Sequence, residues 1–93
     1  MEVAYSLVHH PLVISEDLPK LDPSVRREIR DTVRAKLLVH PELYGKPLRR
    51  SLKGHRTLRI GDYRVVYRIE GRIIKLIGII HRSDGYKSIE RRV

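Results

Sequence analysis

Two glycine-containing turns divide residues 55–87 into three runs in which apolar and polar side chains alternate. The dipeptides Gly61-Asp62 and Glu70-Gly71 each separate segments rich in Val, Ile and Tyr, the residue types that favour β-strands. Two-residue turns containing glycine join neighbouring antiparallel strands. This part of the chain is therefore predicted to form a three-stranded antiparallel meander.

The first turn implies a register that places two arginines side by side. If Ile60 pairs with Tyr63 across the turn, Arg59 lies opposite Arg64. Like charges directly opposite each other destabilise a strand pair. Such a pair is therefore expected to have a use outside the fold, and binding to a polyanion is the simplest one.

The second turn, with Ile69 opposite Arg72, places Arg64 opposite Ile77 and completes two faces, because side chains alternate along a strand. One face is predicted to be the core face, and it collects Leu58, Ile60, Tyr63, Val65, Tyr67, Ile69, Ile74, Leu76 and Ile80. The opposite face is predicted to be cationic on an apolar floor, and it collects His55, Thr57, Arg59, Arg64, Arg68, Lys75 and His81 with Val66, Ile73, Ile77 and Ile79 between them.

The positive charge of the chain belongs to its C-terminal half. The formal net charge of the 93 residues is +9. Residues 1–43 hold 6 basic and 7 acidic side chains, whereas residues 44–93 hold 14 basic and 4 acidic ones, so the halves carry −1 and +10 and together give +9. This distribution is typical of a protein that binds a phosphate backbone, and an acidic protein partner is the other common cause.

Several classes of protein are excluded or disfavoured by what the sequence lacks. The chain has no cysteine, which excludes disulfides, thiolate zinc sites and cysteine nucleophiles. It has no apolar run of about 18 residues and no secretory signal pattern at its start, so a cytoplasmic protein with no membrane contact is expected. No phosphate-binding glycine loop, serine nucleophile elbow or metal-ligand spacing is present, so no cofactor and no metal are expected.

The N-terminal half is predicted to supply one strand and two helices. Residues 2–9 alternate weakly as a strand, and residues 13–21 carry apolar side chains at helical spacing. Asp22 followed by Pro23 is a helix start signal, and the second helix is predicted to reach residue 39. The basic segment 44–54 is expected to be a connector without strong structure. The predicted fold is therefore α+β in a single domain of residues 1–93: a small antiparallel sheet, formed by the N-terminal strand and the C-terminal meander, with the helix hairpin packed on one face and the cationic face left open.

Two groups of residues carry candidate chemistry. Guanidinium groups on the cationic face can bind phosphate and stabilise its extra charge during transesterification, although an ordinary solvated sheet face is the alternative. The segment 81–86, HRSDGY, follows the last strand. In a chemical interpretation His81 transfers protons, Arg82 holds a phosphate and Tyr86 stacks on a base, whereas a structural role for His81 and Tyr86 stays open. Such residues suit cleavage of RNA, in which the substrate supplies the 2′-hydroxyl nucleophile.

The segments GKPLRRSLKG, LRIGDYRVVYRIEG and IIHRSDGYK resemble the RelE/ParE superfamily of toxin–antitoxin toxins, in the RelE-like branch that cleaves mRNA on the ribosome. The resemblance implies a type II toxin that acts as a metal-independent endoribonuclease in the A site of the 30S subunit and inhibits translation. It also implies that mRNA, the ribosome with its rRNA backbone, and a cognate acidic antitoxin are the partners.

By the same resemblance, the catalytic residues are Arg64, Arg82 and Tyr86, with His81 or His55 as the general base. Family members usually carry two basic residues at the positions of His55 and Thr57, which leaves the identity of the base open. The residues expected to hold RNA or the ribosomal backbone are Lys53, Arg56, Arg59, Arg68 and Lys75.

Two other functions are compatible with the sequence. A ParE-type toxin would inhibit DNA gyrase by binding it, and His81 and Tyr86 would then be dispensable. The presence of His, Arg and Tyr in the HRSDGY segment favours the nuclease. A non-catalytic basic RNA-binding module would show a strong salt dependence of binding and no cleavage.

Overall fold

The structure, a computed structural model, describes residues 5–93, so positions 2–4 of the predicted first strand lie outside the described residues. Within this range one sheet has the strand order β1-β5-β4-β3-β2. Its strands are β1 (Ser6–His9), β2 (Lys46–Pro47), β3 (Arg56–Ile60), β4 (Tyr63–Glu70) and β5 (Ile73–His81). The predicted α+β class and the C-terminal meander of β3, β4 and β5 are confirmed.

The sheet is mixed, because β1 runs parallel to β5. Ser6 lies opposite Ile73 and His9 lies opposite Leu76 in this pair. The prediction of a wholly antiparallel sheet is therefore wrong for the N-terminal strand, β1. Alternation of side chains reports which face a residue occupies and carries no information on strand direction. Parallel neighbours need a long crossover, and the two helices between β1 and the meander provide one.

The first hairpin has the predicted register. Ile60 pairs with Tyr63, and Arg59 pairs with Arg64. Gly61 begins the turn with a φ of 60°, a left-handed conformation that glycine adopts without steric cost. The turn therefore follows directly from the position of the glycine.

The second hairpin departs from the predicted register. Its turn is Gly71-Arg72, because Glu70 pairs with Ile73. Gly71 has a φ of 61° and is the first residue of the turn, as Gly61 is in the first hairpin. The predicted turn would have put Glu70 in that left-handed position, which is unfavourable for a residue with a side chain.

A β-bulge then changes the faces at the end of β5. Tyr67 pairs with Leu76 but Val66 pairs with Gly78, so Ile77 is the extra residue. A bulge of one residue reverses the face on which every following side chain lies.

The bulge moves His81 away from the arginine face. Ile79 packs in the core beside the helices, whereas Ile80 lies on the opposite face. The prediction of Ile80 on the core face and Ile79 on the cationic face is therefore wrong. His81 pairs with Tyr63 and Arg64 pairs with Ile80. His81 therefore shares a face with Tyr63 and not with Arg64, contrary to the predicted composition of the cationic face.

Two helices cover the core face of the sheet. The first consists of a π-helical turn, Val13–Asp17, followed by a 3-10 turn, Leu18–Lys20. The second is α-helical over Pro23–Thr32 and continues as a π-helical turn over Val33–Leu37. Among residues 5–93 no helix is both long and apolar enough to cross a membrane. The main core is formed by Val13, Leu21, Ile29, Val33, Leu37, Leu38, Ile60, Val65, Tyr67, Ile74, Leu76 and Ile79.

The opposite face of the sheet is partly covered, which corrects the expectation of an open face. A second core there consists of Leu52, Val66, Ile77, Ile80 and Ile89. Leu52 belongs to a 3-10 turn, Arg50–Leu52, and β2 precedes it, so the segment predicted to be an unstructured connector has regular structure. Ile89 belongs to a C-terminal helix, Lys87–Glu90, that was not predicted. Only parts of this face remain accessible.

A buried ion pair fastens the end of the chain. The guanidinium of Arg92 donates hydrogen bonds of 2.7 and 2.9 Å to the two carboxylate oxygens of Asp17 and one of 3.0 Å to the carbonyl of Ile77. The Ile79 amide donates to Asp17 at 2.9 Å. These contacts satisfy backbone groups of β5 beyond the last residue that pairs with β1. The hydrogen bond to Asp17 raises the pKa of Arg92 above its ordinary value.

Candidate functional site

An open groove of about 600 Å³ lies on the accessible part of the second face. Its walls come from β2, β3, β4, the short helix Pro41–Tyr44 and the residue before the C-terminal helix. The lining residues are Tyr44, Lys46, Thr57, Leu58, Arg59, Arg64 and Tyr86. This set contains three cations and two aromatic rings but no acidic side chain, a composition that suits a nucleic acid.

Arg64 and Tyr86, both predicted site residues, are brought together in this groove. The guanidinium carbon of Arg64 lies 5.8 Å from the centre of the Tyr86 ring, within the range of a cation–π contact. Both side chains are partly buried. Tyr86 immediately precedes the C-terminal helix, whose Ile89 is fully buried. The packing of that helix therefore positions the Tyr86 ring.

The two opposed arginines give the groove unbalanced positive charge. Arg59 and Arg64 face each other across the first hairpin. Arg59 donates a hydrogen bond of 3.1 Å to the carbonyl of Gly61. Within residues 5–93, neither arginine has a carboxylate within ion-pair distance. Their mutual repulsion is thus left uncompensated, and a bound anion would relieve it.

His81 and Arg82, also predicted to be catalytic, are not among the residues that line the groove. The His81 ring makes an edge contact with Tyr63, with ring centres 5.3 Å apart, and its Nδ1 lies 2.7 Å from the Ser83 hydroxyl. Arg82 is exposed and pairs with Asp62 in the first turn at 3.3 Å. The structure places His81 on the helix side of the sheet and Arg82 beside the turn.

His55, the alternative general base, lies in the interior. It is 5% exposed, and its backbone bonds to Leu48 and Leu52 shape the segment that leads into β3. Its Nδ1 is buried and has no hydrogen-bond partner within the described residues. Its position suits a structural role in the entry to β3.

Arg56, predicted to hold RNA, is used to hold the protein backbone. Its Nη2 donates to the carbonyls of Glu42 at 2.9 Å and Gly45 at 2.6 Å. Tyr67 acts beside it: the buried hydroxyl donates to the Pro41 carbonyl at 2.7 Å and accepts from the Gly45 amide at 3.1 Å. Burial raises the pKa of the Tyr67 hydroxyl. Together the two side chains fix both ends of the short helix Pro41–Tyr44.

The remaining predicted RNA-binding residues lie outside the groove. Lys53 is exposed, and Arg68 forms an exposed ion pair of 3.3 Å with Glu70. Lys75 lies directly opposite Arg68 across β4 and β5. Of the five predicted RNA-binding residues, only Arg59 lines the groove.

Two groove residues, Tyr44 and Lys46, were missed by reasoning from the sequence. Both belong to the segment that was expected to lack structure, so nothing fixed the direction of their side chains. The ammonium of Lys36, on the second helix, lies 5.2 Å from the centre of the Tyr44 ring. Thr57, opposite Lys46, has a buried hydroxyl without a partner in residues 5–93. In that same range no group of three or more histidine or acidic side chains is arranged as metal ligands.

Comparison with known proteins places these features in a family. A family model described as the ParE toxin of the type II toxin–antitoxin system parDE matches residues 13–86. Toxin RelE of Mycobacterium tuberculosis is 37% identical over 75 residues, which is 78% of this chain and 77% of that protein. Toxin RelG of the same organism is 37% identical over 73 residues, 76% of this chain and 84% of that protein.

The fold is shared with one chain of a solved toxin–antitoxin complex. In the crystal structure of the RelBE2 toxin–antitoxin complex of Mycobacterium tuberculosis, one chain superposes with a TM-score of 0.79 and 31% identity, covering 90% of this chain and 98% of that one. The family model spans most of the sequence, and the relatives match over most of their own length. The chain therefore belongs to the RelE/ParE superfamily and is a toxin of a type II toxin–antitoxin system.

Proposed function

We propose that this toxin is a ribosome-dependent endoribonuclease that cleaves mRNA in the A site and thereby inhibits translation. The observation that carries the proposal is the pairing of Arg64 with Tyr86 in a basic groove whose lining includes no carboxylate. A guanidinium free of acidic partners can bind a phosphate, and the adjacent ring can stack on a base. The identity to RelE-named toxins supports the same function. Because its proposed substrate is mRNA on the ribosome, the toxin would act in the cytoplasm.

The proposed reaction is transesterification by the substrate itself. The 2′-oxygen of one nucleotide forms a bond to the adjacent phosphorus, and the bond from phosphorus to the 5′-oxygen breaks. The 2′-hydroxyl gives up a proton and the 5′-oxygen receives one, which leaves a 2′,3′-cyclic phosphate. Arg64, with Arg59 opposite it, would stabilise the negative charge that develops on the phosphate oxygens. Arg82, which follows β5 and pairs with Asp62 of the first turn, would contact the RNA outside the groove.

Proton transfer in this reaction requires groups within reach of the 2′- and 5′-oxygens. The groove lining contains no imidazole, but it includes the Lys46 amine and the hydroxyl of Tyr86, whose ring contacts Arg64. We assign the Tyr86 hydroxyl and the Lys46 amine as the first candidates for this role. His81 and His55 would have to act from the other face and from the interior.

An acidic antitoxin is the proposed protein partner. The similar Mycobacterium tuberculosis chain was solved as a toxin–antitoxin complex. In the present chain, an apolar groove of about 510 Å³ between the helices and the sheet is bordered by Arg26, Arg27, Arg30 and Arg34. A segment with one apolar and one acidic face complements that surface in shape and charge.

Gyrase inhibition of the ParE type is the second candidate, and the ParE description of the matching family model favours it. Such a toxin acts by binding, so an intact Arg64–Tyr86 pair would be unnecessary. The two candidates therefore make opposite predictions for substitutions in the groove.

Primer extension on a defined message in a purified translation reaction separates the candidates. The nuclease proposal predicts cuts within A-site codons that disappear when ribosomes are omitted and that leave 2′,3′-cyclic phosphate ends. Tyr86→Ala should weaken cleavage, whereas Leu43→Ala, at a side chain that is 68% exposed and outside the groove, serves as the matched control. An intact message together with inhibited gyrase supercoiling would establish the alternative.

A further inference from the structure

Tyr44 is an exposed aromatic residue that the mechanism above does not use. It lines the same groove as Tyr86 and is 38% exposed. It belongs to neither of the two apolar cores among the described residues. A role in core packing therefore does not account for this ring.

The backbone that carries Tyr44 is held more firmly than a surface turn requires. Tyr67 bonds the carbonyl of Pro41 and the amide of Gly45, on both sides of Tyr44. Arg56, on β3, donates hydrogen bonds to the carbonyls of Glu42 and Gly45. A buried tyrosine and a partly buried arginine thus hold a helix of only four residues. The result is an aromatic ring presented to the groove from a fixed support, which lowers the entropy cost of binding through that ring.

Tyr44 and Tyr86 have similar surroundings. A cation lies over each ring: Lys36 is 5.2 Å from the centre of the Tyr44 ring, and Arg64 is 5.8 Å from that of Tyr86. The groove that both rings line also contains Arg59 and Lys46. The groove thus combines two aromatic rings with cations, as a single-stranded RNA segment combines bases with phosphates. Its volume of about 600 Å³ falls within the size of ordinary ligand sites, ~300–1,000 Å³.

We propose that Tyr44 is a second base-stacking platform, which holds the nucleotide next to the one stacked on Tyr86 while the cations of the groove bind the phosphate that joins them. The groove then reads two neighbouring codon bases, and Tyr44 contributes to codon preference through stacking strength. This inference rests on the proposal that the groove binds RNA, and it concerns a position that the resemblance to RelE-like toxins does not assign.

The first test is equilibrium binding of the full chain to a fluorescent 2′-O-methyl trinucleotide, which cannot be cleaved. Tyr44→Ala should weaken binding by about 5- to 150-fold, the range found when one aromatic platform for a base is removed. Tyr44→Phe should bind like the wild type, because a ring face is needed and a hydroxyl is not. Leu43→Ala, at the neighbouring exposed position, should also bind like the wild type.

A second comparison identifies the contact as stacking. Trinucleotides that are abasic at a single position are titrated against both the wild type and Tyr44→Ala. At one position, loss of the base should weaken wild-type binding by the same factor as Tyr44→Ala, and the two losses should not add. Unfolding in urea checks that Tyr44→Ala folds as stably as Leu43→Ala.

The outcomes separate this inference from the proposed nuclease. Equal affinity of the wild type and Tyr44→Ala, including no binding by either, overturns the role of Tyr44 even when A-site cleavage is observed. Fully additive losses at every abasic position overturn it as well. Weaker binding by Tyr44→Ala with no cleavage on ribosomes supports the platform and rejects the nuclease. On active ribosomes, Tyr44→Ala should raise KM and flatten the differences in cleavage among codons.

Discussion

The guanidinium of Arg92 forms a bidentate ion pair with the carboxylate of Asp17, 75 residues earlier in the chain, and both side chains are less than 10% exposed. The pair joins the first helix to the segment after the C-terminal helix, across β5. It therefore helps to hold Tyr86 over Arg64, although neither member touches the groove.

Removal of one member of this pair should be costly. Arg92→Ala leaves the Asp17 carboxylate buried with the Ile79 amide as its one donor among residues 5–93, and loss of one partner from a buried pair costs about 3–5 kcal/mol of unfolding free energy. Urea denaturation measures the loss. Arg30→Ala, which breaks an ion pair whose side chains are 59% and 64% exposed, should cost less than about 1 kcal/mol. Equal losses for the two variants would contradict this account of the C-terminal segment.

Gly78 allows the C-terminal helix to approach the sheet. A Cβ at this position would lie 2.1 Å from Cδ1 of Ile89 and 2.9 Å from the Arg92 guanidinium. Gly78→Ala should therefore lower the unfolding free energy by about 1–3 kcal/mol through overpacking. Gly85→Ala, where no atom lies within 4 Å of the added Cβ, is the control. Combining Gly78→Ala with Ile89→Ala should cost less than the sum of the single changes, and strict additivity would refute the contact.

The buried Tyr67 hydroxyl should make stability depend on pH in the alkaline range. Burial raises its pKa in the folded state above the ordinary value of 10.0. The unfolded chain therefore loses this proton first, so the stabilisation is complete below pH 10 and declines as the pH rises through the folded-state pKa.

Comparison with Tyr67→Phe isolates this contribution. Near pH 7 the variant should be less stable by about 1–3 kcal/mol, because the Gly45 amide loses its acceptor and the Pro41 carbonyl loses its donor. The difference between the two proteins in urea denaturation should shrink between pH 9 and 11. A difference that stays constant or grows over that range would show that the Tyr67 pKa is not raised.

His81 provides a test of the altered register in β5. Since its ring contacts Tyr63 on the helix side of the sheet, His81→Gln should lower the cleavage rate on ribosomes by less than about 10-fold, below the range for loss of a proton-transfer group. A rate loss of about 100-fold or more would restore His81 as the general base.

The sequence predicts those strands in which apolar residues lie on one face and polar residues on the other. In β3 and β4, apolar residues alternate with Arg59 and Arg64, and Gly61 fixes the turn, so the register of this hairpin could be derived. In β5, the run IIKLIGIIH is apolar on both faces, so alternation cannot locate the bulge at Ile77 or the face of His81.

The candidate site was predictable to a similar degree. Arg64 followed from the register and from the resemblance, which also supplied Tyr86, and the structure brings them together. Tyr44 could not be predicted as a groove residue from the sequence. The direction of its side chain depends on Tyr67 and Arg56, which lie in other strands and hold the backbone of the short helix Pro41–Tyr44. Arg56 itself reads in the sequence as one more surface cation, and only the backbone carbonyls around it reveal its structural role.

The central claim is that Arg64 stabilises the charge on the phosphate that is cleaved. The most direct test compares the single-turnover rates of mRNA cleavage on ribosomes by the wild type and by Arg64→Ala. Arg64→Ala should slow cleavage by about 10²–10³-fold, the usual effect of removing one group that stabilises the transition-state charge. Arg68→Ala, on the same strand but paired with Glu70, should cleave at close to the wild-type rate. Cleavage by Arg64→Ala at the wild-type rate would contradict the assignment of the groove as the nuclease site.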